Sequence, residues 1–182
     1  MTEITQVRLS GLGGQGVVLA GLLLGQAGAI DGKFVSGSNS YGAQARGSEC
    51  ASEVVLSTHP IDFPYVTLAD VLVCMSQGSY NLYSHEVVRD SGLIVYDRRW
   101  VNPRKDLDLR QVGISATEVS VTRLKEKQTA NLVLLGALVE ITKLVSSGAV
   151  KKAIALHLDR RLRAVNLKAL QLGMVLGRRI DG

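Results

Sequence analysis

The chain has 182 residues, 46% of them hydrophobic and 20% charged, with a formal net charge of +5. That length and apolar content suit a single α/β-type domain spanning residues 1–182 and exclude a disordered chain. Only 4% of the residues are aromatic, too few for a single-strand nucleic-acid stacking platform, and no helix-turn-helix or RNP-like run stands out. Mild basicity suits instead an anionic ligand or an acidic partner subunit.

In chain order, the apolar run Ile4 to Leu9 predicts a first strand, followed by a glycine loop and a largely apolar helix over Val17 to Ile30. Phe34 to Ser38 reads as a second strand, Asn39 to Glu49 as a polar, glycine-rich loop, and Ala51 to Ser57 as a third strand. Pro60 and Pro64 make His59 to Val66 an extended connection. Strands are predicted at Val71 to Met75, Leu93 to Tyr96 and Val112 to Ser115. Ser79 to Arg89 is predicted helical, and the charged stretch Asp97 to Asp108 an exposed loop. Further helices are expected from Ala116 to Lys125, Gln128 to Val145, Val150 to His157 and Leu162 to Arg179. Alternating strands and helices predict an α/β fold, a three-layer α/β/α sandwich with a Rossmann-like glycine loop after the first strand. The link from strand two to strand three holds no helix, so the sheet is mostly parallel or mixed.

The longest apolar runs, Val17 to Ile30 and Ala130 to Val145, fall short of the ~20 residues that a membrane span requires. No signal-peptide core is present, and sparse cysteines favour a reducing cytoplasm. Cys50 and Cys74 lie far apart without a C-x-x-C pair, so the chain carries no iron–sulfur or zinc signature. Cys74 reads as a small core residue. His59, His85 and His157 are scattered, and no metal site is expected.

Gly11, Gly13 and Gly16 fit the G-x-G-x-x-G spacing, with Gly14 an extra glycine. Such a loop brings backbone N–H groups to an anion at a helix N-terminus. The same glycines also serve plain strand–helix packing, and the motif alone leaves both readings open. A dinucleotide site would add an Asp or Glu at the end of the second strand to hold the ribose. Here that segment reads Val35-Ser-Gly-Ser-Asn39, and the nearest acid, Asp31, precedes the strand. The second loop, Ser38 to Ser48, groups hydroxyls, an amide, Tyr41 and Arg46, whose planar fork suits a phosphate or carboxylate. A solvated surface loop is the plainer reading.

Together, Gly11-Leu-Gly-Gly-Gln-Gly16 and Ser40-Tyr-Gly-Ala-Gln-Ala-Arg-Gly47 resemble the gamma subunit of the 2-oxoacid:ferredoxin oxidoreductases. The resemblance continues through Val54-Val-Leu-Ser57, Pro60-Ile-Asp-Phe-Pro64, Ala69-Asp-Val-Leu-Val73, Asn131-Leu-Val-Leu-Leu-Gly136 and Asn166-Leu-Lys-Ala169 with Gly173, in order and over nearly the whole chain. One departure is Ser48, where the family pattern reads a second glycine after Arg46-Gly47.

The resemblance implies a subunit of an enzyme that oxidatively decarboxylates a 2-oxoacid such as 2-oxoglutarate or pyruvate, makes an acyl-CoA and reduces ferredoxin. Thiamine diphosphate and iron–sulfur clusters would sit on partner chains, the alpha and beta and in some members delta subunits. This chain would carry no catalytic residue, and would help bind coenzyme A and cover the active site. The implied contact set is Gly11, Gly13, Gly14, Gln15 and Gly16, with Ser40, Tyr41 and Arg46 as a facing wall. Asn131 reads as a buried amide that orients a loop. Arg160, Arg161, Arg163, Arg178 and Arg179 read as a solvated face or as partners for acids on another subunit. The alternatives are an indolepyruvate-type component, a free-standing nucleotide- or flavin-binding oxidoreductase, and a scaffold without a ligand.

Overall fold

The structure, a computed structural model, describes residues 4–41 and 48–180. Its strands are β1 (Ile4–Leu12), β2 (Phe34–Tyr41), β3 (Glu49–Ser57), β4 (Val71–Cys74), β5 (Leu93–Asp97) and β6 (Arg110–Ile114). They form one sheet in the order β2-β3-β1-β4-β5-β6. β1, β4, β5 and β6 run parallel, while β3 pairs antiparallel with both β1 and β2. The sheet is therefore mixed, as the helix-free link between the second and third strands requires.

Alternation along the strands separates two faces. Val7, Leu9, Val54, Leu56, Val73, Val95 and Val112 point into the main core, which is filled by helices α1 (Val17–Ile30), α4 (Ala130–Thr142) and α5 (Ser147–His157). The sequence of α1, VVLAGLLLGQAGAI, is apolar around most of its circumference, which fits a helix wedged between the sheet and α5. Helix α6 (Arg160–Arg178) packs outside α4. The opposite face is thinly covered. Leu72, Cys74 and Ile94 meet Tyr80 of the two-turn helix α2 (Gln77–Tyr83) and Val101. Val55, Val66 and Ala69 form a small separate cluster beneath the 58–70 connection. The expected α/β sandwich is thus present with unequal layers.

The thin face holds a buried cation. The Arg8 guanidinium donates to Glu53 at 2.9 Å, to Glu86 and to the Val66 carbonyl, and lies 4.8 Å from the centre of the Tyr83 ring. A charge that deep is tolerable only with such pairing. It joins β1 and β3 to the chain segments that cross them.

Several boundaries differ from the sequence reading. The helix expected over Ser79 to Arg89 starts at Gln77, where Ser76 Oγ caps the Ser79 N–H, and ends at Tyr83. The chain beyond it bonds instead to the residue that leads into β4, Ala69 N–H to the Glu86 carbonyl and Val88 N–H to the Ala69 carbonyl. The Asp97–Asp108 stretch is not wholly exposed, because Asp97 and Val101 are buried. The helix expected over Ala116 to Lys125 is a short α-helical turn, α3 (Ala116–Val119), continued by a π-helical turn, Ser120–Leu124, and stopped by Lys125 in a left-handed conformation. The long helix begins at Ala130 after a 3₁₀ turn at Lys127–Thr129. Among the described residues no helix is long and apolar enough to cross a membrane.

Candidate functional site

Parallel strands in an open α/β sheet leave a crevice at their carboxyl ends where successive connections leave on opposite faces. Here β1 leads to α1 on the thick face, while β4 leads to α2 on the thin one. A cavity of about 620 Å³ opens at that point. Its walls come from the glycine loop (Leu12 to Gln15), Glu49, the β4–α2 turn (Met75 to Gly78), Asp97 with Trp100, Thr117, and the segment before α4 (Lys127, Gln128).

The loop is held from several sides. Gly13 N–H donates to the Ser48 carbonyl at 2.9 Å, joining it to the base of the β2–β3 connection. Gln15 turns inward: its Oε1 accepts from Leu12 N–H at 2.7 Å and its Nε2 donates to the Met75 carbonyl at 3.0 Å. Its amide thus buckles the ends of β1 and β4 together. Gly14 and Gly16 have φ of 97° and 77°, where a side chain is strained. A Cβ on Gly14 would meet nothing within 4 Å, so this residue presents bare backbone to open space. At Gly16 the same Cβ would strike the amide of Asn131, whose Nδ2 donates to the Gly16 carbonyl at 3.0 Å. Asn131 is therefore a buried amide that orients the loop, as the sequence reading had it.

The opposite wall rests on Asp97. Its carboxylate is buried and accepts from the N–H groups of Arg99 and Thr117 and from Thr117 Oγ1. Thr117 Oγ1 in turn accepts from Trp100 Nε1 at 3.0 Å. This chain of bonds fixes the indole at the cavity rim, with Arg99 and Lys127 within 6 Å of its centre, at 5.5 and 5.9 Å. Such cations favour the ring's electron-rich face. Glu49 accepts from Ser76 Oγ at 2.9 and 3.1 Å, beside the start of α2. The cavity thus combines exposed loop backbone, an aromatic surface, one lysine and two acids already bonded to protein donors.

The predicted site residues are placed unevenly. Gly13, Gly14 and Gln15 line the cavity. Gly11 lies within β1, where a Cβ would meet Gln15 Oε1 at 2.6 Å and Met75 Cβ at 2.8 Å, so it serves close packing. Gly16 is the N-cap of α1. Ser40 and Tyr41 belong to β2 rather than to a loop, and the cavity walls do not include them. They sit at the same end of the sheet, Tyr41 opposite Cys50 and Cys50 opposite Gly11. Arg46 lies outside the described residues. Sequence reasoning missed Glu49, Asp97, Trp100, Thr117 and Lys127. Their signal was positional: most stand just past the carboxyl end of a parallel strand or at a helix start, where such sheets build sites.

The ribose-acid test also gains a structural footing. Because β3 is inserted between β1 and β2, the end of β2 lies two strand spacings from β1, ~10 Å rather than the ~5 Å of neighbouring strands. An acid there would sit too far from the glycine loop to complete a dinucleotide site.

The family model described as pyruvate ferredoxin/flavodoxin oxidoreductase matches residues 6–176. The chain belongs to that family. Within it, the chain is a gamma-type subunit of a 2-oxoacid:ferredoxin oxidoreductase. It is 39% identical to the 2-oxoglutarate synthase subunit KorC of Methanocaldococcus jannaschii, over 92% of this chain and 91% of that one. The crystal structure of the keto/oxoacid ferredoxin oxidoreductase gamma subunit of Geobacter sulfurreducens is 30% identical, with a TM-score of 0.85 over 96% of this chain and 99% of that one. The fold also recurs within a longer chain, the 2-oxoglutarate:ferredoxin oxidoreductase of Magnetococcus marinus, at a TM-score of 0.88 and 20% identity over 98% of this chain and 32% of that one. The gamma subunit therefore works as part of a multi-subunit oxidoreductase.

Proposed function

We propose that this gamma subunit serves the acyl-transfer half of a 2-oxoglutarate-type oxidoreductase, with its glycine loop and the adjoining cavity contacting coenzyme A. The 2-oxoglutarate assignment rests on the 39% identity to KorC over almost the full length of both chains. The coenzyme A contact is carried by one observation: Gly14 turns uncovered backbone toward a cavity at the N-terminal end of α1. Peptide N–H groups and the helix dipole both favour a phosphate there. Lys127 adds a cation at the rim, and Trp100 a flat surface on which a ring can stack. The Magnetococcus enzyme of the same fold holds 2-oxoglutarate, coenzyme A and succinyl-CoA.

Gly11, Gly13, Gln15 and Gly16 shape the site from within, and Ser40 and Tyr41 lie at the same end of the sheet; Arg46 is kept as a candidate for a phosphate or carboxylate on its chemistry alone. Residues 1–182 act as one domain. Decarboxylation and electron transfer belong to thiamine diphosphate and iron–sulfur clusters on partner chains, the alpha and beta and in some members delta subunits, which hand electrons to ferredoxin. Two cysteines in the whole sequence fall short of the four thiolates that a cubane cluster takes. The Cys74 thiol is pushed up to about 12, by burial above all. Among the described residues no group of three or more His, Cys, Asp or Glu could hold a metal ion. On this reading the chain's own residues bind, orient and cover.

The reading is tested on the complex reconstituted with and without this chain, by following 2-oxoacid- and coenzyme-A-dependent dye reduction. Arg46→Ala should raise the KM for coenzyme A and leave assembly intact. An unchanged KM removes Arg46 from the site. Higher turnover with pyruvate or indolepyruvate than with 2-oxoglutarate would reassign the substrate.

A further inference from the structure

We propose that Asn131 is a positioning residue for coenzyme A, acting through the Gly16 carbonyl without touching the ligand. The proposal rests on the reading of the glycine loop as the coenzyme A contact.

The geometry of Asn131 is fixed at both ends of its amide. Nδ2 donates to the Gly16 carbonyl at 3.0 Å, and Oδ1 accepts from Leu132 N–H at 2.9 Å. A flipped amide would set oxygen against oxygen and N–H against N–H, so only one orientation is compatible with the surroundings. The residue is buried, and the cavity walls do not include it. The Gly16 carbonyl also accepts Ala20 N–H at 3.0 Å, the first bond of α1. Asn131 thus supplies a second donor to the very carbonyl that starts the helix.

Its partner position is constrained in return. Gly16 caps α1 with φ of 77° and no side-chain cap. A Cβ there would collide with Asn131 Nδ2. Gly13 and Gln15 are already tied to Ser48, Leu12 and Met75. With Asn131 holding Gly16, each loop residue except Gly14 is fixed to another element, and Gly14 is left facing open space. Asn131 also follows directly on Lys127, Gln128 and Ala130, which line the cavity from the far side. One short segment at the start of α4 therefore supplies part of one wall and holds the glycine loop on the other.

The test uses the assembled oxidoreductase with Asn131→Ala, and Gly14→Ala as comparator. Steady-state kinetics for coenzyme A and for the 2-oxoacid are combined with hydrogen exchange of the backbone amides of residues 13–18. Loss of one neutral hydrogen bond predicts a rise of about three- to tenfold in the KM for coenzyme A. The KM for the 2-oxoacid and kcat should stay within about twofold, and exchange should quicken only in the loop. A rise with Gly14→Ala alone overturns the positioning role and leaves the coenzyme A reading standing. No rise with either variant overturns both. If Asn131→Ala does not assemble, the isosteric Asn131→Asp, which keeps the acceptor for Leu132 N–H, takes its place. Equal losses in all kinetic constants from that variant overturn the proposal in favour of a purely structural amide.

Discussion

Gly14 and Gly16 both have positive φ, yet for different reasons, and substitution separates them. At Gly14 a Cβ meets open space, so Gly14→Ala carries only the left-handed strain, roughly 1–2 kcal/mol. At Gly16 the same strain is joined by a collision with Asn131, and the loss should exceed that of Gly14→Ala by at least about 1 kcal/mol. Urea unfolding of the two variants checks the order; equal losses would contradict it. The backbone at Ser48 does not call for a glycine. What the loop takes from this position is its carbonyl, which accepts from Gly13 N–H, and Ser48 is not among the positive-φ residues. A serine supplies that carbonyl as well as a glycine does. Cys74 offers a further prediction. Fully buried, with its thiol pushed up to about 12, it should resist alkylation at pH 8 in the native protein and react once unfolded. Modification of Cys74 in the native protein at the rate of a free thiol would show that the sheet opens at β4.

At the scale of elements, the α4–α6 contact depends on glycine. A Cβ on Gly136 would fall on the Leu170 carbonyl, and one on Gly173 on the Val133 carbonyl. The two backbones touch, so Gly136→Ala must push the helices apart. The expected loss is about 1–3 kcal/mol or more, read from the midpoint of urea unfolding. A neutral Gly136→Ala would mean the helices are not packed this closely. Glu140 lies at the end of the same contact, with Lys143 and Arg178 as partners. Bonds to Lys143 first and Arg178 second hold its carboxyl below the usual value. A depressed carboxylate stabilises the fold above its unfolded pKa, and the contribution is lost as pH falls through the folded value. Glu140→Gln should therefore be less stable than the parent at pH 7, with the gap closing as pH drops through and below the ordinary glutamate range. A gap that persists in acid would mean the effect is packing. Arg178 pairs within the subunit while staying exposed, as the solvated-face reading has it, whereas the half-buried Arg163 donates to the Leu158 carbonyl and departs from that reading. Most strands and long helices were legible because their periodicity is unbroken, as in Val71–Cys74 or Ala130–Thr142. The misjudged pieces were decided by tertiary bonds without local periodicity: the chain after α2, where Val87 bridges Ala69 just before β4, and the turn after β5, where Asp97 gathers backbone N–H groups.

For the whole molecule, the consequential feature is the unequal cover of the sheet. Neither this asymmetry nor the insertion of β3 between β1 and β2 leaves a periodic signal, because both depend on which strands pair across long separations. The glycine loop was visible in the sequence. The rest of the cavity was not, since Glu49, Asp97 with Trp100, and Lys127 are brought together from three separate segments. The thin side leaves Phe63, Tyr65 and Leu68 exposed along the 58–70 connection, and Phe34 exposed on β2, as suits a chain that works beside others. The most direct measurement is the KM for coenzyme A of the reconstituted oxidoreductase carrying Gly14→Ala in this chain, with 2-oxoglutarate saturating. The account predicts a rise of at least about threefold, equivalent to the loss of a single ligand hydrogen bond, with assembly and the KM for 2-oxoglutarate unchanged. An unaltered KM for coenzyme A, or full activity from a complex lacking this chain, would contradict it.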